Sequence, residues 1–131
     1  METLRPGGAL GVGLDFVDVP RLAEVIERQG EVFLRRVFSE GERTYCEAKR
    51  EPAIFYAARF AAKEAISKAF GTGIGAEIGW LDIEIFHLAS GAPAVRLLGK
   101  GAELARQRGV RELLISLTHT SLMAGASVVL Q

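Results

Sequence analysis

The stretch that decides the fold lies in the middle of the chain, where residues Pro52–Phe70 read PAIFYAARFAAKEAISKAF. Proline is favoured in the first turn of a helix and Gly71 is a typical residue to end one, so this stretch predicts one long helix. At about 100° per residue, eight apolar side chains, five of them alanine, share one face of that helix: Ile54, Phe55, Ala58, Ala61, Ala62, Ala65, Ile66 and Ala69. Because alanine side chains are small, another element can approach the helix closely, and we expect one to pack against this face.

The opposite face of the predicted helix is charged and polar. Arg59 and Lys63 lie one turn apart on it, and Glu64 and Lys68 form a second pair with the same i,i+4 spacing. One interpretation is a solvated face, since a Glu–Lys pair of this kind stabilises a helix by about 0.2–0.5 kcal/mol and is common. The other is a functional site, in which Glu64 is a Mg²⁺ ligand and the cations contact phosphates. The helix alone does not decide between them.

A buried strand and the start of a helix are predicted at Gly11–Arg21, which reads GVGLDFVDVPR. The strand covers Leu10–Val17, and Asp18 is placed to cap the helix that follows. Asp15 lies inside the apolar strand, where a carboxylate is expensive to bury without a partner. It could cap the helix or lie at the strand end, or it could form a two-carboxylate site for a hard metal ion with Glu64.

Short helices and two hairpins are predicted in the rest of the chain. The predicted elements are a helix from Pro20 to the residue before Gly30, a helical turn at Val32–Phe38, a helix from the Ser39–Glu42 capping box to Lys49, strands at Trp80–Leu88 and Ala94–Leu98, a helix at Gly99–Arg108, and strands at Glu112–Thr118 and Ala124–Leu130. This order predicts an α+β fold with a mostly antiparallel sheet and one long central helix. Residues 1–131 are expected to form a single domain, with residues 1–8 as a flexible N-terminal extension.

Composition excludes several classes of protein. The chain has 131 residues with 16 Lys+Arg and 16 Asp+Glu, so zero net charge excludes a globally basic nucleic-acid or membrane-surface binder. The single cysteine, Cys46, excludes an intramolecular disulfide framework and a cysteine metal cluster. The most apolar stretch, Leu122–Leu130, is shorter than the roughly 20 residues of a membrane helix, and Met1–Gly8 does not resemble a signal peptide. We expect a soluble, cytoplasmic protein.

Three further features leave alternatives open. His119 lies in SLTHT at the end of a predicted strand, where it is either a polar turn residue or part of a site. The glycine-rich Gly71–Gly75 resembles a phosphate-cradling loop, but it follows a helix and is neither a P-loop nor a dinucleotide fingerprint. His87 and Cys46 have no matching partner in the sequence, and we interpret both as structural.

Taken together, these segments resemble the holo-acyl-carrier-protein synthases, the short bacterial class of 4′-phosphopantetheinyl transferases. The resemblance is carried by GVGLDFVDVPR at Gly11–Arg21 and by RFAAKEAISKAFGTG at Arg59–Gly73. Trp80–Ile85 and Ser116–Thr120 match later positions in the same order, so the similarity covers about Leu10–Leu130. It favours the functional interpretation of the charged helix face.

The resemblance implies a reaction, a metal and an assembly. In this family coenzyme A donates its 4′-phosphopantetheine group to a serine of apo acyl carrier protein, and adenosine 3′,5′-bisphosphate leaves. Mg²⁺ is held by the residues that match Asp15 and Glu64. The family is typically a homotrimer of the phosphopantetheinyl transferase fold, with active sites in the clefts between subunits.

The resemblance also implies roles for single residues. Asp15, Glu64, Lys68 and His119 would be catalytic, with Lys68 reaching the leaving phosphate. Coenzyme A would be contacted by a second set, which is Arg59, Lys63, Gly71, Gly73 and His119. The role of His119, coenzyme A contact or orientation of the site, stays open. Lys49 and Arg50 are further candidates for the 3′-phosphate.

Two arginines are expected to bind the carrier protein. Arg21 and Arg28 share a face of the first predicted helix, and carrier proteins are acidic. Glu31 departs from the family pattern, where some relatives have a basic residue.

The alternatives to the enzyme are a non-catalytic oligomeric module that binds coenzyme A or a carrier protein, and a purely structural trimer. The joint presence of two carboxylates and Lys68 favours the enzyme.

Overall fold

The computed structural model describes residues 1–4 and 7–131. In chain order its elements are β1 (Gly11–Asp18), α1 (Val19–Gln29), α2 (Glu31–Val37), α3 (Glu40–Glu47), α4 (Pro52–Phe70), a 3-10 turn (Trp80–Asp82), β2 (Ile83–His87), β3 (Pro93–Leu97), α5 (Gly99–Arg108), β4 (Leu113–His119) and β5 (Met123–Leu130). The predicted N-terminal extension includes Arg5 and Pro6, which lie outside the described residues. Residues 1–4 and 7–8 belong to no helix or strand.

The close packing expected on the alanine face of α4 is made with β1. A side chain at Gly11 would lie 2.1 Å from the carbonyl oxygen of Ala69, and one at Gly13 would lie 1.9 Å from that of Ala65. Only glycine therefore fits at these two strand positions. Alternate residues of a strand share a face, so Asp15 is turned to α4 together with the two glycines.

The strands form two antiparallel sheets instead of the single sheet expected. One has three strands in the order β1-β5-β4, and the other is the β2–β3 hairpin. In the larger sheet Asp15 is opposite Ala126 and His119 is opposite Ala124. The prediction of an α+β fold with antiparallel pairing is confirmed.

The predicted caps are confirmed, and one strand boundary is wrong. Asp18 Oδ1 accepts a hydrogen bond of 2.9 Å from the backbone of Arg21 at the start of α1. Ser39 and Glu42 form the capping box of α3. Trp80–Asp82 is a 3-10 turn and not the start of a strand, because Asp82 Oδ2 accepts from the backbone N–H of Gly79 at 2.7 Å and holds the chain in a turn.

The outer face of the three-stranded sheet is apolar and uncovered in the single chain. Val12, Leu14 and Phe16 of β1 are 56–69% exposed, and Leu114 of β4 lies on the same face. Isolated exposed apolar residues are normal, but a contiguous patch on a sheet marks an interaction surface.

None of the helices formed by residues 1–4 and 7–131 has the length and apolar content to cross a bilayer.

Candidate functional site

The packing of α4 on β1 brings Asp15, Glu64 and Lys68 together. Lys68 Nζ donates to Asp15 Oδ1 at 2.8 Å and to the backbone carbonyl of Leu14 at 3.3 Å. Glu64 lies one turn before Lys68 on the helix, and Asp15 and Glu64 both line a cavity of about 640 Å³. A strand residue and a helix residue that are far apart in sequence thus form one charged cluster.

The electrostatics of this cluster suit a divalent cation. Burial and the neighbouring Asp15 raise the pKa of Glu64, with Lys68 opposing the shift. The hydrogen bond to Asp15 raises the pKa of Lys68, so its ammonium group stays charged at neutral pH. Two carboxylates that repel each other in a cleft are oxygen donors of the kind that Mg²⁺ takes together with substrate phosphates. Among the described residues no group of three or more His, Cys, Asp and Glu side chains could hold a metal.

The cavity beside the carboxylates is largely apolar and includes Arg21. Its apolar lining comes from β1, α1, α2, α4 and β5, and includes Leu22, Val25, Phe33, Phe60 and Met123. Arg21 lies at the start of α1 and is exposed, whereas Arg28, two turns later on α1, is exposed outside this cavity. The structure therefore joins one of the two predicted partner-binding residues to the predicted metal residues.

Arg59 lies in a second cavity, of about 440 Å³, and is not on an exposed face. It is 1% exposed, and its guanidinium carbon lies 4.0 Å from the centre of the Tyr45 ring. Nη2 is 3.4 Å from Nδ1 of His87, and Nε has no hydrogen-bond partner among the described residues. A buried N–H group without a partner is rare in proteins, so this nitrogen is a polar group that the described residues leave unsatisfied.

A chain of aromatic and cationic contacts connects Arg59 to His119. The rings of Tyr45 and His87 are stacked 4.7 Å apart, and Lys49 Nζ lies over Tyr45 at 4.6 Å and over Phe55 at 5.3 Å. The Phe55 ring is 5.3 Å from that of His119. We refer to this set as the cation–aromatic cluster; its members are Tyr45, Lys49, Phe55, Arg59, His87 and His119.

Lys63, which was expected to contact coenzyme A together with Arg59, lies in the core. Lys63 is fully buried, and Nζ donates to Glu42 Oε1 at 2.7 Å and to the carbonyls of Val37 at 2.7 Å and Trp80 at 3.0 Å. The other Glu42 oxygen accepts from the backbone of Ile85 at 2.8 Å. With its three donors occupied in the core, Lys63 is not placed to contact a phosphate.

The glycine-rich loop uses its own backbone donors. Gly71 and Gly73 have left-handed φ angles of 80° and 66°. The N–H of Gly71 donates to the last turn of α4, and that of Gly73 donates to the carbonyl of Ser67. The loop begins three residues after Lys68, and a side chain at either glycine would meet nothing within 4 Å. Its open surface, and not its N–H groups, is what a ligand could approach.

The structure thus divides the predicted site residues between two faces of α4. Asp15, Glu64 and Lys68 form one group, and Arg59 and His119 belong to the cation–aromatic cluster. Glu64 and Arg59 are five residues apart, about 140° around the helix, so one chain does not bring the two groups together. The sequence interpretation missed Tyr45, Phe55 and His87; the i,i+4 spacing of Tyr45 and Lys49 on the predicted third helix was the one available signal.

The chain is similar to known proteins along most of its length. A family model described as the 4′-phosphopantetheinyl transferase superfamily matches residues 11–118. A holo-[acyl-carrier-protein] synthase of Syntrophus aciditrophicus is 43% identical over 92% of this chain and 94% of its own length. One from Koribacter versatilis is 43% identical over 93% and 98%.

Solved structures of similar proteins have the same fold. The holo-[acyl-carrier-protein] synthase of Neisseria meningitidis matches with a TM-score of 0.88 at 28% identity, over 94% of this chain and 98% of that one. The Helicobacter pylori enzyme, solved in complex with coenzyme A, matches with a TM-score of 0.82 at 33% identity, over 92% and 99%.

Proposed function

Because the chain belongs to the 4′-phosphopantetheinyl transferase superfamily, as an enzyme of the holo-[acyl-carrier-protein] synthase type, we propose the following reaction. The 4′-phosphopantetheine group of coenzyme A is transferred to a serine hydroxyl of apo acyl carrier protein, and adenosine 3′,5′-bisphosphate is released. The observation that carries the proposal is the cluster of Asp15, Glu64 and Lys68 beside an apolar cavity that also includes Arg21.

Asp15 and Glu64 fit a Mg²⁺ ion and would hold it. Both are oxygen ligands, and the pKa of Glu64 is raised first by burial and then by repulsion from Asp15, a repulsion that a cation removes. When bound, Mg²⁺ supplies positive charge next to the pyrophosphate of coenzyme A, where negative charge accumulates during transfer.

Lys68 would act on the leaving group. The bond between the β-phosphorus and the bridging oxygen of the pyrophosphate breaks while the serine oxygen forms a new bond to that phosphorus. Lys68 is charged and half-exposed, so its ammonium group can donate to the oxygen that leaves with adenosine 3′,5′-bisphosphate. The serine proton would pass to a water molecule held by the carboxylates.

The nucleotide end of coenzyme A would be bound by the cation–aromatic cluster. Arg59 has an unpartnered buried N–H, and Lys49 and His119 belong to the same cluster. Since Arg59 and Glu64 lie on different faces of α4, we propose that one active site takes its carboxylates from one chain and its cation–aromatic cluster from a second.

A homotrimer would provide such shared sites. The uncovered apolar face of Val12, Leu14 and Phe16 supports self-association through the three-stranded sheet. Sedimentation equilibrium is expected to give three times the mass of one chain, and Leu14→Glu should lower that mass and the activity together. A monomer with full activity would contradict the assembly.

Carrier binding is proposed at Arg21 and Arg28. Both are exposed on α1, and Arg21 reaches the cavity where the serine must enter. Acidic carrier helices would pair with these arginines. The proposed compartment is the cytoplasm, in agreement with a single unpaired cysteine.

Mass spectrometry of the carrier tests the reaction. Purified protein, apo acyl carrier protein, coenzyme A and Mg²⁺ should yield a carrier heavier by one phosphopantetheine group, with equimolar adenosine 3′,5′-bisphosphate. The matched control is Glu64→Gln, which keeps the size of the side chain and removes its charge. If the wild-type protein leaves the carrier unmodified at every Mg²⁺ concentration, the proposed function is wrong.

Complementation tests the shared site. Glu64→Gln and Arg59→Met should each lose nearly all activity in homogeneous preparations. Mixed, dissociated and reassociated, they should regain activity, because some clefts then combine an intact Glu64 with an intact Arg59 from the neighbouring chain. A mixture that stays inactive would place both residues in one chain's site.

A further inference from the structure

Arg59 is held by groups that the proposed reaction does not use. Its guanidinium is stacked on Tyr45 at 4.0 Å and faces Nδ1 of His87 at 3.4 Å. Tyr45 lies on α3 and His87 is the last residue of β2, and their rings are nearly parallel, with an angle of 6° between them. Three elements therefore meet at one arginine.

The contact with His87 has a defined chemistry. Arginine has five N–H donors and no acceptor, so Nδ1 of His87 has to be unprotonated to accept from Nη2. The ring is then neutral and carries its proton on Nε2. Burial, Arg59 and Lys49 lower the pKa of His87, which agrees with a neutral ring.

The other charged groups around His87 are accounted for. Lys49 lies over the ring of Tyr45, which is stacked on His87. Glu84 and Arg96 line the same cavity as His87. Glu84 is bonded to Arg96 at 2.7 Å and to the Ser39 hydroxyl at 2.7 Å. With that carboxylate already paired, His87 is the side chain that fixes Nη2, while Nε remains without a partner among the described residues.

We propose that His87 is a positioning residue: its unprotonated Nδ1, in a ring stacked on Tyr45, fixes the Arg59 guanidinium so that its remaining N–H groups face an anionic ligand. The inference rests on the proposed function, in which that anion is a phosphate of coenzyme A. His87 does not touch the reacting phosphorus and acts through Arg59 alone.

Two substitutions separate the ring from its acceptor. His87→Phe keeps an aromatic ring on Tyr45 and removes Nδ1, whereas His87→Asn keeps an acceptor oxygen at about the place of Nδ1 and removes the ring. The hydrogen bond comes from a charged donor but is long, at 3.4 Å, so we expect its loss to cost roughly 5-fold in affinity, equivalent to about 1 kcal/mol. We expect His87→Phe to raise KM for coenzyme A, and Kd for adenosine 3′,5′-bisphosphate in calorimetry, by about that factor with kcat unchanged.

His87→Asn should lie within about 2-fold of the wild-type constants, a difference below 0.5 kcal/mol. Gln107→Ala, an exposed position on α5, is the control for substitution in general. Equal constants in His87→Phe and the wild type would overturn the inference, as would equal losses in the Phe and Asn variants.

Nuclear magnetic resonance provides a readout that needs no turnover. The chain has two histidines, so single variants assign their imidazole signals. The ¹⁵N shifts of His87 should be those of the Nε2–H tautomer, and Arg59→Met should raise the pKa of His87, since a cation and a donor are removed. An Nδ1–H tautomer, or an unchanged pKa, would overturn the inference.

The two levels of failure are distinct. A wild-type protein that neither modifies the carrier nor binds adenosine 3′,5′-bisphosphate contradicts the proposed function and this inference together. A wild-type protein that does both, with His87→Phe unaffected, contradicts only the role of His87.

Discussion

Two lysines of α4, five residues apart, form ion pairs of almost the same length in very different surroundings. Lys63 Nζ is 2.7 Å from Glu42, and both side chains are fully buried. Lys68 Nζ is 2.8 Å from Asp15, with side chains 50% and 17% exposed. The distance alone does not distinguish the pairs.

Burial gives the two pairs different tasks. Burial lowers the pKa of Lys63 against the opposing effect of Glu42, and every donor of its ammonium group has a partner in the core. The carboxylate beside Lys68 raises its pKa, and the ammonium group remains accessible, since the side chain is half-exposed. The first pair joins elements of the fold, and the second is available for chemistry.

The largest expected effect is on the buried pair. Lys63→Met leaves Glu42 charged and buried without its cation, and breaking a pair in this way destabilises a protein by about 3–5 kcal/mol. Urea denaturation should report that fall in the free energy of unfolding. Lys100→Met, an exposed lysine of α5, is the matched control. A loss below about 1 kcal/mol, the range of surface pairs, would show that burial does not distinguish the two lysines.

Glu64→Gln tests the accessible group without disturbing the core. Removing a charge that acts on the transition state should lower the transfer rate by about 100- to 1,000-fold. The raised pKa of Glu64 means that its ionised form destabilises the fold at neutral pH, so stability should not fall.

Metal binding gives this variant a second readout. Mg²⁺ should raise the Tm of the wild-type protein, because a ligand that binds only the native state stabilises it, and should not raise that of Glu64→Gln. Ion-independent melting of the wild type would remove Asp15 and Glu64 as metal ligands.

The local part of this structure could be predicted from the sequence. The periodicity of Pro52–Phe70 predicted the helix, and the alanine face predicted its close packing. Strand alternation accounts for the shared face of the β1 glycines and Asp15 once β1 is known to pack on the helix. These are local patterns, in which the spacing of side chains determines which face they share.

The fate of Lys63 depended on contacts that no spacing encodes. Its partner Glu42 was predicted only as a capping residue of α3, a role that it also has. The carbonyls of Val37 and Trp80 reach Lys63 only after the helices and the 3-10 turn have packed. The same holds for Tyr45 and His87, which come from α3 and β2. Long-range packing, and not propensity, decided which cations of α4 are buried.

A smaller effect is expected at the surface of α1. Arg21→Glu should raise KM for the carrier by about 5- to 10-fold at low salt, because one favourable charge pair becomes a repulsion. The increase should shrink as ionic strength rises, since exposed charges are screened. Lys100→Glu is the control for the change in net charge. A KM that does not depend on salt would remove Arg21 from the carrier interface.

The smallest loss expected from breaking an ion pair belongs to Lys68 and Asp15. Lys68→Met removes a half-exposed ion pair, which contributes about 0–1 kcal/mol, while the transfer rate should fall because the leaving phosphate loses its cation. Asp15 raises the pKa of Lys68, so the pair's contribution is complete below the ordinary lysine value of 10.5 and is lost as the pH rises through the higher folded value. Urea denaturation at neutral pH and above pH 10.5 measures the contribution of the ion pair to stability. The transfer assay measures the fall in the transfer rate. If Lys68→Met destabilised the protein as much as Lys63→Met, both lysines would be structural, and the proposed role of Lys68 in the transfer reaction would be wrong.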